Sequence, residues 1–514
     1  MGDYILTLDI GTTNIKAFLF NKEGEIFAQA RRRPNYIMDE PGQVEQDPTE
    51  IWEMSKAVIE EVISSKNLSA SNIDAMAIST QRASFVLWDK QTGKLYSNII
   101  TWQDKRAADY AEKLYKKFFF RVLRGIGKLV SLFGSTKMLV VSMLQFPTDY
   151  PSVRTGFFLE NHPDIKKDVK DPNTSIIWGQ IDSWILWNLT ERKEHATDLS
   201  NASASAMLDP FKLEWNKPIL KQIGIPTHFL PNIKETKDDF GVTKLFGGGE
   251  IPIRAIIADQ QASLFGQCCF NFGDMKVTNG TGSFIDINTG DKPFASKRRL
   301  YPMIAWSMDG EITYLLEGMS HNTGNIIDWI QAELKLYQNP SETELMAMSV
   351  ESTKGVYFLP TFSSGISYPF WDSTARGNLF GVNLSTRKEH IVRAVLEGIC
   401  FRIKDIVKGI KEDTGISVNR IKADGGVSQN KCILQFLSDI LGMEVEHAQN
   451  PEITALGAAF VAGLATGFWK STEELKTIRK IDKVYKPQMS EQERETKSKK
   501  WIDIVARSLN YEVS

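Results

Sequence analysis

The same local pattern occurs twice in this 514-residue chain: an apolar strand, a Gly-Thr turn, and a second apolar strand. The first copy runs from Ile5-Leu6-Thr7-Leu8-Asp9 through Ile10-Gly11-Thr12-Thr13-Asn14 into Ile15-Lys16-Ala17-Phe18-Leu19-Phe20. The second is "DMKVTNGTGSFIDINTG", from Asp274, with Asn279-Gly280-Thr281-Gly282 at its tip. Alternating strands joined by glycine turns are hairpins. An amphipathic helix follows the first, "DPTEIWEMSKAVIEEVI". Asp47 caps it, Pro48 opens it, and Ile51, Met54, Val58 and Val62 share a face. In the second half "HIVRAVLEGICFRIKDIVKGI" places Ile391, Val395, Ile399 and Ile403 at helical spacing. Buried strands are predicted at "IDAMAIST" and in "IPIRAIIADQQASLFGQ", where the strand enters a helix. The pattern predicts an α/β fold of two related domains. The boundary is expected at Gly247-Gly248-Gly249, dividing residues 1–249 from 250–514.

A chain of this length is too long for one typical core. Apolar content of 42% and charged content of 24% fit an ordinary globular protein. A net charge of -2 shows no overall bias toward nucleic acid, and no nucleic-acid partner is expected. Cys268, Cys269, Cys400 and Cys432 form no CxxC pair and no zinc spacing. With no signal-peptide pattern and no run long enough to span a bilayer, a cytoplasmic location is expected.

Between residues 113 and 148 stand Lys113, Lys116, Lys117, Arg121, Arg124, Lys128 and Lys137, with no acid among them. Phe118-Phe119-Phe120, Leu129, Val130, Leu132 and Phe133 are interleaved. Such a segment suits a peripheral membrane or protein contact. The plainer expectation is an insertion whose apolar side packs on its own domain while its lysines face water.

GxxxxGK[ST], GxGxxG after a strand, and HExxH are all absent. Four strand-end turns remain: at Asp9, at Asp259-Gln260-Gln261, at Gly280-Thr281, and at Asp424-Gly425-Gly426. Any one alone is an ordinary turn or helix cap. Together they form a phosphate-binding set. Gly-Thr tips present backbone N–H groups and hydroxyls to an anion. Asp9 is placed to hold Mg²⁺. Asp259, where a strand meets a helix, is placed to accept the proton of an attacking hydroxyl.

These residues resemble the FGGY carbohydrate kinases, and within them the glycerol kinase branch. The resemblance runs from about Tyr4 to Trp469 and includes "LDIGTTN", "PGQVEQDPTEIW", "STQRAS", "WQDKRA", "ADQQASLFGQ", "NGTGSF", "DGGVSQN" and "GNLFGVNLSTRKEHIVRAVLE". It implies two actin-like, ribonuclease-H-like domains flanking a nucleotide cleft, with ATP and Mg²⁺ as cofactors and a small polyol or sugar as acceptor. It implies that Asp259 is the catalytic base and, with Asp9, a metal ligand. Arg82, Trp102, Tyr150, Asp259, Gln260 and Phe284 match polyol contacts, Tyr150 across the inserted segment. Thr12, Thr13, Asn14, Lys16, Thr281, Gly324, Asp328, Gly426 and Asn430 match nucleotide contacts. Lys16 stands where glycerol kinases usually have Arg, and Asp328 where they have Gln. In "STQRAS", Ala83 replaces the Glu of the branch's Arg–Glu pair, as in the divergent animal glycerol kinase 5 type.

Two functions of different class follow. One is an ATP-dependent kinase converting glycerol, or a related polyol or sugar, to its phosphate; the reading allows a homodimer, and the sequence itself does not show the oligomeric state. The other is a nucleotide-binding regulatory pseudokinase acting through the basic insertion, favoured by Ala83. An actin- or chaperone-like ATPase would share the turns but not Arg82, Trp102 or the C-terminal signature.

Overall fold

The computed structural model describes residues 2–362 and 365–510. The first half holds strands β1 (Tyr4–Ile10), β2 (Ile15–Phe20) and β3 (Ile26–Arg32), helix α1 (Pro48–Ser64) and strand β4 (Ile73–Thr80). Helices α2 (Ala108–Lys116), α3 (Phe118–Ser131) and α4 (Thr136–Ser142) follow, then β5 (Val242–Thr243), β6 (Ile251–Ala258) and helix α5 (Asp259–Gly266). The strands form one sheet in the order β5-β6-β4-β1-β2-β3. The second half repeats the scheme with β7 (Met275–Asn279), β8 (Ser283–Gly290), β9 (Tyr301–Met308), β10 (Glu311–Ser320), helix α6 (Gly324–Trp329), helix α7 (Lys388–Thr414), β11 (Arg420–Asp424), helix α8 (Lys431–Leu441), β12 (Glu444–Ala448), helix α9 (Ile453–Thr466) and β13 (Ile481–Tyr485). Its sheet order is β9-β10-β8-β7-β11-β12-β13.

Strand pairing crosses the expected boundary at 249/250. β6 lies parallel to β4, with Ile253 opposite Met76 and Ala258 opposite Thr80, so the first sheet continues past Gly249. The glycines are not a loose linker either. Gly247 accepts the Ala70 N–H at 2.9 Å, and a Cβ on Gly247 would meet the Ala70 nitrogen at 2.5 Å.

β1 is apolar almost throughout because both its faces are covered. Leu6, Leu8 and Ile10 pack with Ile51 and Val58 of α1, while Ile5 points into a core shared by the two halves. Each such buried side chain contributes about 1.5–3 kcal/mol. In the shared core α5 crosses α9 at glycine: a Cβ on Gly457 would lie 1.9 Å from the Ala262 carbonyl oxygen. Only hydrogen at that position allows the backbones to approach so closely.

The parallel register brings three chain segments out at one end of the first sheet. Asp9 is opposite Ser79, and Thr80 is opposite both Ile10 and Ala258. Asp9, Arg82 and Asp259 therefore leave neighbouring strands together. In the second sheet Thr278 pairs in parallel with Asp424, which places the Gly280 and Gly425 turns side by side. Among the described residues no helix is long and apolar enough to cross a membrane.

Candidate functional site

A cavity of about 230 Å³ lies between the two Gly-Thr tips. Thr12, Thr13, Arg82, Trp102, Tyr150, Asp259, Gln260, Thr281 and Phe284 line it, all of them singled out in the sequence. Local bonds shape each tip. Gly11 N–H donates to the Asn14 carbonyl at 2.9 Å, and the Trp102 indole N–H donates to Thr12 Oγ1 at 3.2 Å. Opposite, Gly280 N–H donates to the Gly282 carbonyl at 2.9 Å, and Gly324 N–H donates to the Gly280 carbonyl at 3.0 Å.

Asp259 opens α5 at the end of β6. Its Oδ1 accepts the Gln260 N–H at 2.7 Å and lies 3.5 Å from Arg82 Nε. Burial pushes its pKa up and the Arg82 charge pulls it back, with a net rise. The carboxylate is thus made more basic than a free aspartate. Behind it Lys276 donates to Gln260 Oε1 at 2.7 Å and pairs with Asp286 at 2.7 Å, both side chains fully buried. Arg82 Nη2 donates to Glu317 Oε2 at 2.7 Å, and its guanidinium stands 5.8 Å from the Phe284 ring centre.

Asp9 is 7% exposed, and its Oδ1 has no hydrogen-bond partner among the described residues. Burial pushes its pKa up to about 7; Lys16 pulls it down, and Glu452 and Asp259 push it further up. An unpartnered buried carboxylate oxygen in the field of a second acid, Asp259, fits a hard divalent cation. Among the described residues no cluster of three or more His, Cys, Asp or Glu could hold a metal. One or two carboxylates completed by phosphate and water oxygens suit Mg²⁺.

The remaining residues singled out in the sequence lie off the cavity wall. Lys16 donates to Glu452 at 2.6 Å, linking the halves beside Asp9. Asn14 closes the first tip through its carbonyl. Gly324 and Gly426 flank the second tip: a Cβ on Gly324 would touch the Gly280 oxygen at 2.7 Å and Val427 at 3.4 Å. Gly425 has φ of 89°, and a Cβ there would lie 2.5 Å from the Asn279 oxygen, so glycine is required. Asn430 caps α8, accepting from Cys432 N–H at 3.0 Å, and Asp328 is exposed on α6.

Gln81, Asp149, Thr278, Tyr301, Glu317 and His321 also line the cavity and were not singled out in the sequence. The charged Glu317 ending an apolar run in "YLLEGMSH" was the available signal. Ala83 stands at φ of 60°, its N–H donating to Gln180 Oε1 at 2.9 Å. Its carbonyl accepts from Arg154 Nη2 at 2.5 Å, and the same nitrogen donates to the Asp149 carbonyl at 2.8 Å. Arg154 therefore sets Asp149 beside the position that lacks a carboxylate.

The N-terminal-domain profile of the FGGY family of carbohydrate kinases matches residues 4–266, and the C-terminal-domain profile matches residues 275–466. The chain belongs to the FGGY family of carbohydrate kinases. As a family member it is a phosphotransferase with an alcohol group as acceptor. It is 38% identical to a Bos taurus protein named glycerol kinase 5 over 99% of this chain and 96% of that one. Against a glycerol kinase of Caldanaerobacter subterraneus it is 39% identical, over 99% of each chain. The crystal structure of Plasmodium falciparum glycerol kinase with ADP superposes with a TM-score of 0.87 at 31% identity, covering 98% of each chain. The two-domain actin-like fold of this kinase follows.

Proposed function

We propose that this kinase transfers the γ-phosphoryl group of ATP to a hydroxyl of glycerol or a closely related polyol. One observation carries the reading: Asp259, Arg82 and both Gly-Thr tips share a single cavity between the two sheets. Full-length relatives named glycerol kinase support glycerol as the acceptor. The tips at Thr12-Thr13 and Thr281 hold phosphate oxygens. The Gly324 and Gly425-Gly426 backbone beside the second tip receives the nucleoside. Asp9 and Asp259 hold Mg²⁺, which when bound neutralises phosphate charge. Arg82, Trp102, Gln260 and Phe284 orient the polyol.

Asp259 accepts the proton of the attacking hydroxyl as its oxygen bonds to phosphorus, while the bond to the ADP oxygen breaks. The raised basicity of Asp259 suits that task. Loss of a carboxylate at position 83 removes a charge-assisted bond worth about 1.5–3 kcal/mol. Asp149 lines the same cavity, its backbone carbonyl on the Arg154 clamp with that of Ala83, and we infer that its carboxylate takes the missing contact. We also place the functional division between the end of α5 and the start of β7, where the two family profiles part.

The test is incubation of the purified protein with ATP, Mg²⁺ and a panel of polyols and sugars, following phosphorylated product directly. Glycerol 3-phosphate is the expected product. A protein that binds ATP and phosphorylates nothing in the panel contradicts the reading.

A further inference from the structure

The insertion does not hide its apolar residues as the plainer expectation required. One side of α3 packs inward: Phe120 is fully buried, 4.5 Å from the Phe146 ring, and a Cβ on Gly127 would strike Ser142 of α4 at 2.7 Å. The opposite side carries Phe118, Val122, Ile126, Leu129 and Phe133, spaced as one continuous helical stripe that runs past the helix end. Phe118 is 77% exposed, Leu129 63% and Phe133 85%. Leu132 stands exposed beside them.

Basic residues flank this stripe. Arg121 and Lys128 are exposed on the helix flank beside it and form no ion pair among the described residues. Lys117 is held by the Gln222 carbonyl at 2.6 Å, and Arg124 lies over the Tyr115 ring at 4.1 Å. Acidic side chains are absent from 113 to 148, so nothing within the segment neutralises the strip.

We propose that α3 docks this kinase onto an anionic lipid surface. The stripe enters the acyl boundary while Arg121, Lys128 and their neighbours meet lipid phosphates and carboxylates. Charge complementarity selects this occupant. A second copy would bring basic flank against basic flank. The stripe is also a convex ridge on one helix, which a fluid surface can envelop without a matching groove. The inference is independent of the acceptor: α3 lies outside the cavity wall.

The test is co-sedimentation of the whole protein with phosphatidylcholine vesicles, with and without phosphatidylserine. Wild type is expected to partition onto the phosphatidylserine vesicles only, and to leave them as salt rises. Arg121→Gln with Lys128→Gln should weaken partitioning about 25-fold, at about fivefold for each basic residue removed. Phe118→Glu with Phe133→Glu should abolish it. Circular dichroism and lipid-free nucleotide binding should match wild type in both variants. A Phe133→Trp probe should shift its emission to the blue on the same vesicles. Absence of partitioning by wild type overturns the proposal, as does partitioning that both double variants retain. A dimer that Phe118→Glu dissolves, without lipid binding, assigns the stripe to a protein contact and also overturns it.

Discussion

Arg82 of the first half donates to Glu317 of the second at 2.7 Å, across the cavity that holds Asp259. Glu317 is 1% exposed, so the pair is a buried ionic tie between the two sheets. Burial already pushes the Glu317 pKa up to about 8 against the pull of Arg82, so without Arg82 it takes up a proton, and what is lost is a charge-assisted hydrogen bond of about 1.5–3 kcal/mol. Arg82→Ala should therefore lower the melting temperature as well as raise the KM for the polyol. Adding Glu317→Gln to Arg82→Ala should recover part of the lost stability, although not the KM. Thermal melts of the two single variants and the double variant measure this coupling.

Asp149 carries the clearest prediction about the acceptor. Asp149→Asn removes a carboxylate from the wall that carries Ala83 without changing side-chain size. If it binds a polyol hydroxyl, the KM for glycerol should rise by about 10- to 100-fold, in keeping with 1.5–3 kcal/mol for a charged hydrogen bond. The KM for ATP should stay within a few-fold of wild type. Combining Asp149→Asn with Ala83→Glu should recover much of the loss. Steady-state kinetics with each substrate varied separately decide it.

Arg154 is a positioning residue. It is 1% exposed, and it donates to the carbonyls of Ala83, Ile100, Thr101, Thr148 and Asp149. Burial pulls its pKa down to about 10. Arg154→Lys keeps the charge but cannot reach so many acceptors from one planar group. The expected result is a raised polyol KM and a lower melting temperature, with ATP affinity little changed.

A pH effect on stability follows from Asp182. The residue is fully buried, accepts from Thr197 Oγ1 at 2.6 Å, and leaves Oδ1 without a partner among the described residues. Burial pushes its pKa from 3.8 to about 7, against the Thr197 bond and with help from Asp198. Between those values the folded state holds the proton and the unfolded state does not. Stability from this group is therefore full below about pH 4 and is lost as pH rises through 7. Asp182→Asn still accepts from Thr197 and has no proton to lose. Its advantage over wild type should grow from pH 5 to pH 8, to roughly 2–4 kcal/mol at about 1.4 kcal/mol per pKa unit. Denaturant melts at several pH values read the difference.

The parts of the site that could be read in the sequence are those made by local chemistry. Gly11-Thr12-Thr13 and Gly280-Thr281-Gly282 had to be turns between strands, and Asp259 had to sit where a strand enters a helix. Pairings across the chain could not be read. Arg82 and Glu317 are 235 residues apart, and alternation shows that a side chain is buried without showing what it meets. The Gly247-Gly248-Gly249 run looked like a connection because the parallel pairing of β6 with β4 is nonlocal. The stripe on α3 was ambiguous for the same reason: its spacing marks an amphipathic helix, and only the packing of Phe120 against Phe146 shows which side is left outside.

The most direct test of the central claim compares wild type with Asp259→Asn in a single experiment. ATP binding is measured by calorimetry, and glycerol 3-phosphate formation is followed on the same samples with Mg²⁺. The account predicts that both proteins bind ATP, Asp259→Asn more weakly for the loss of one Mg²⁺ ligand, that wild type forms glycerol 3-phosphate, and that Asp259→Asn at saturating ATP forms it about 10²–10⁴ times more slowly. Equal rates for the two proteins would contradict the assignment of Asp259 as the base.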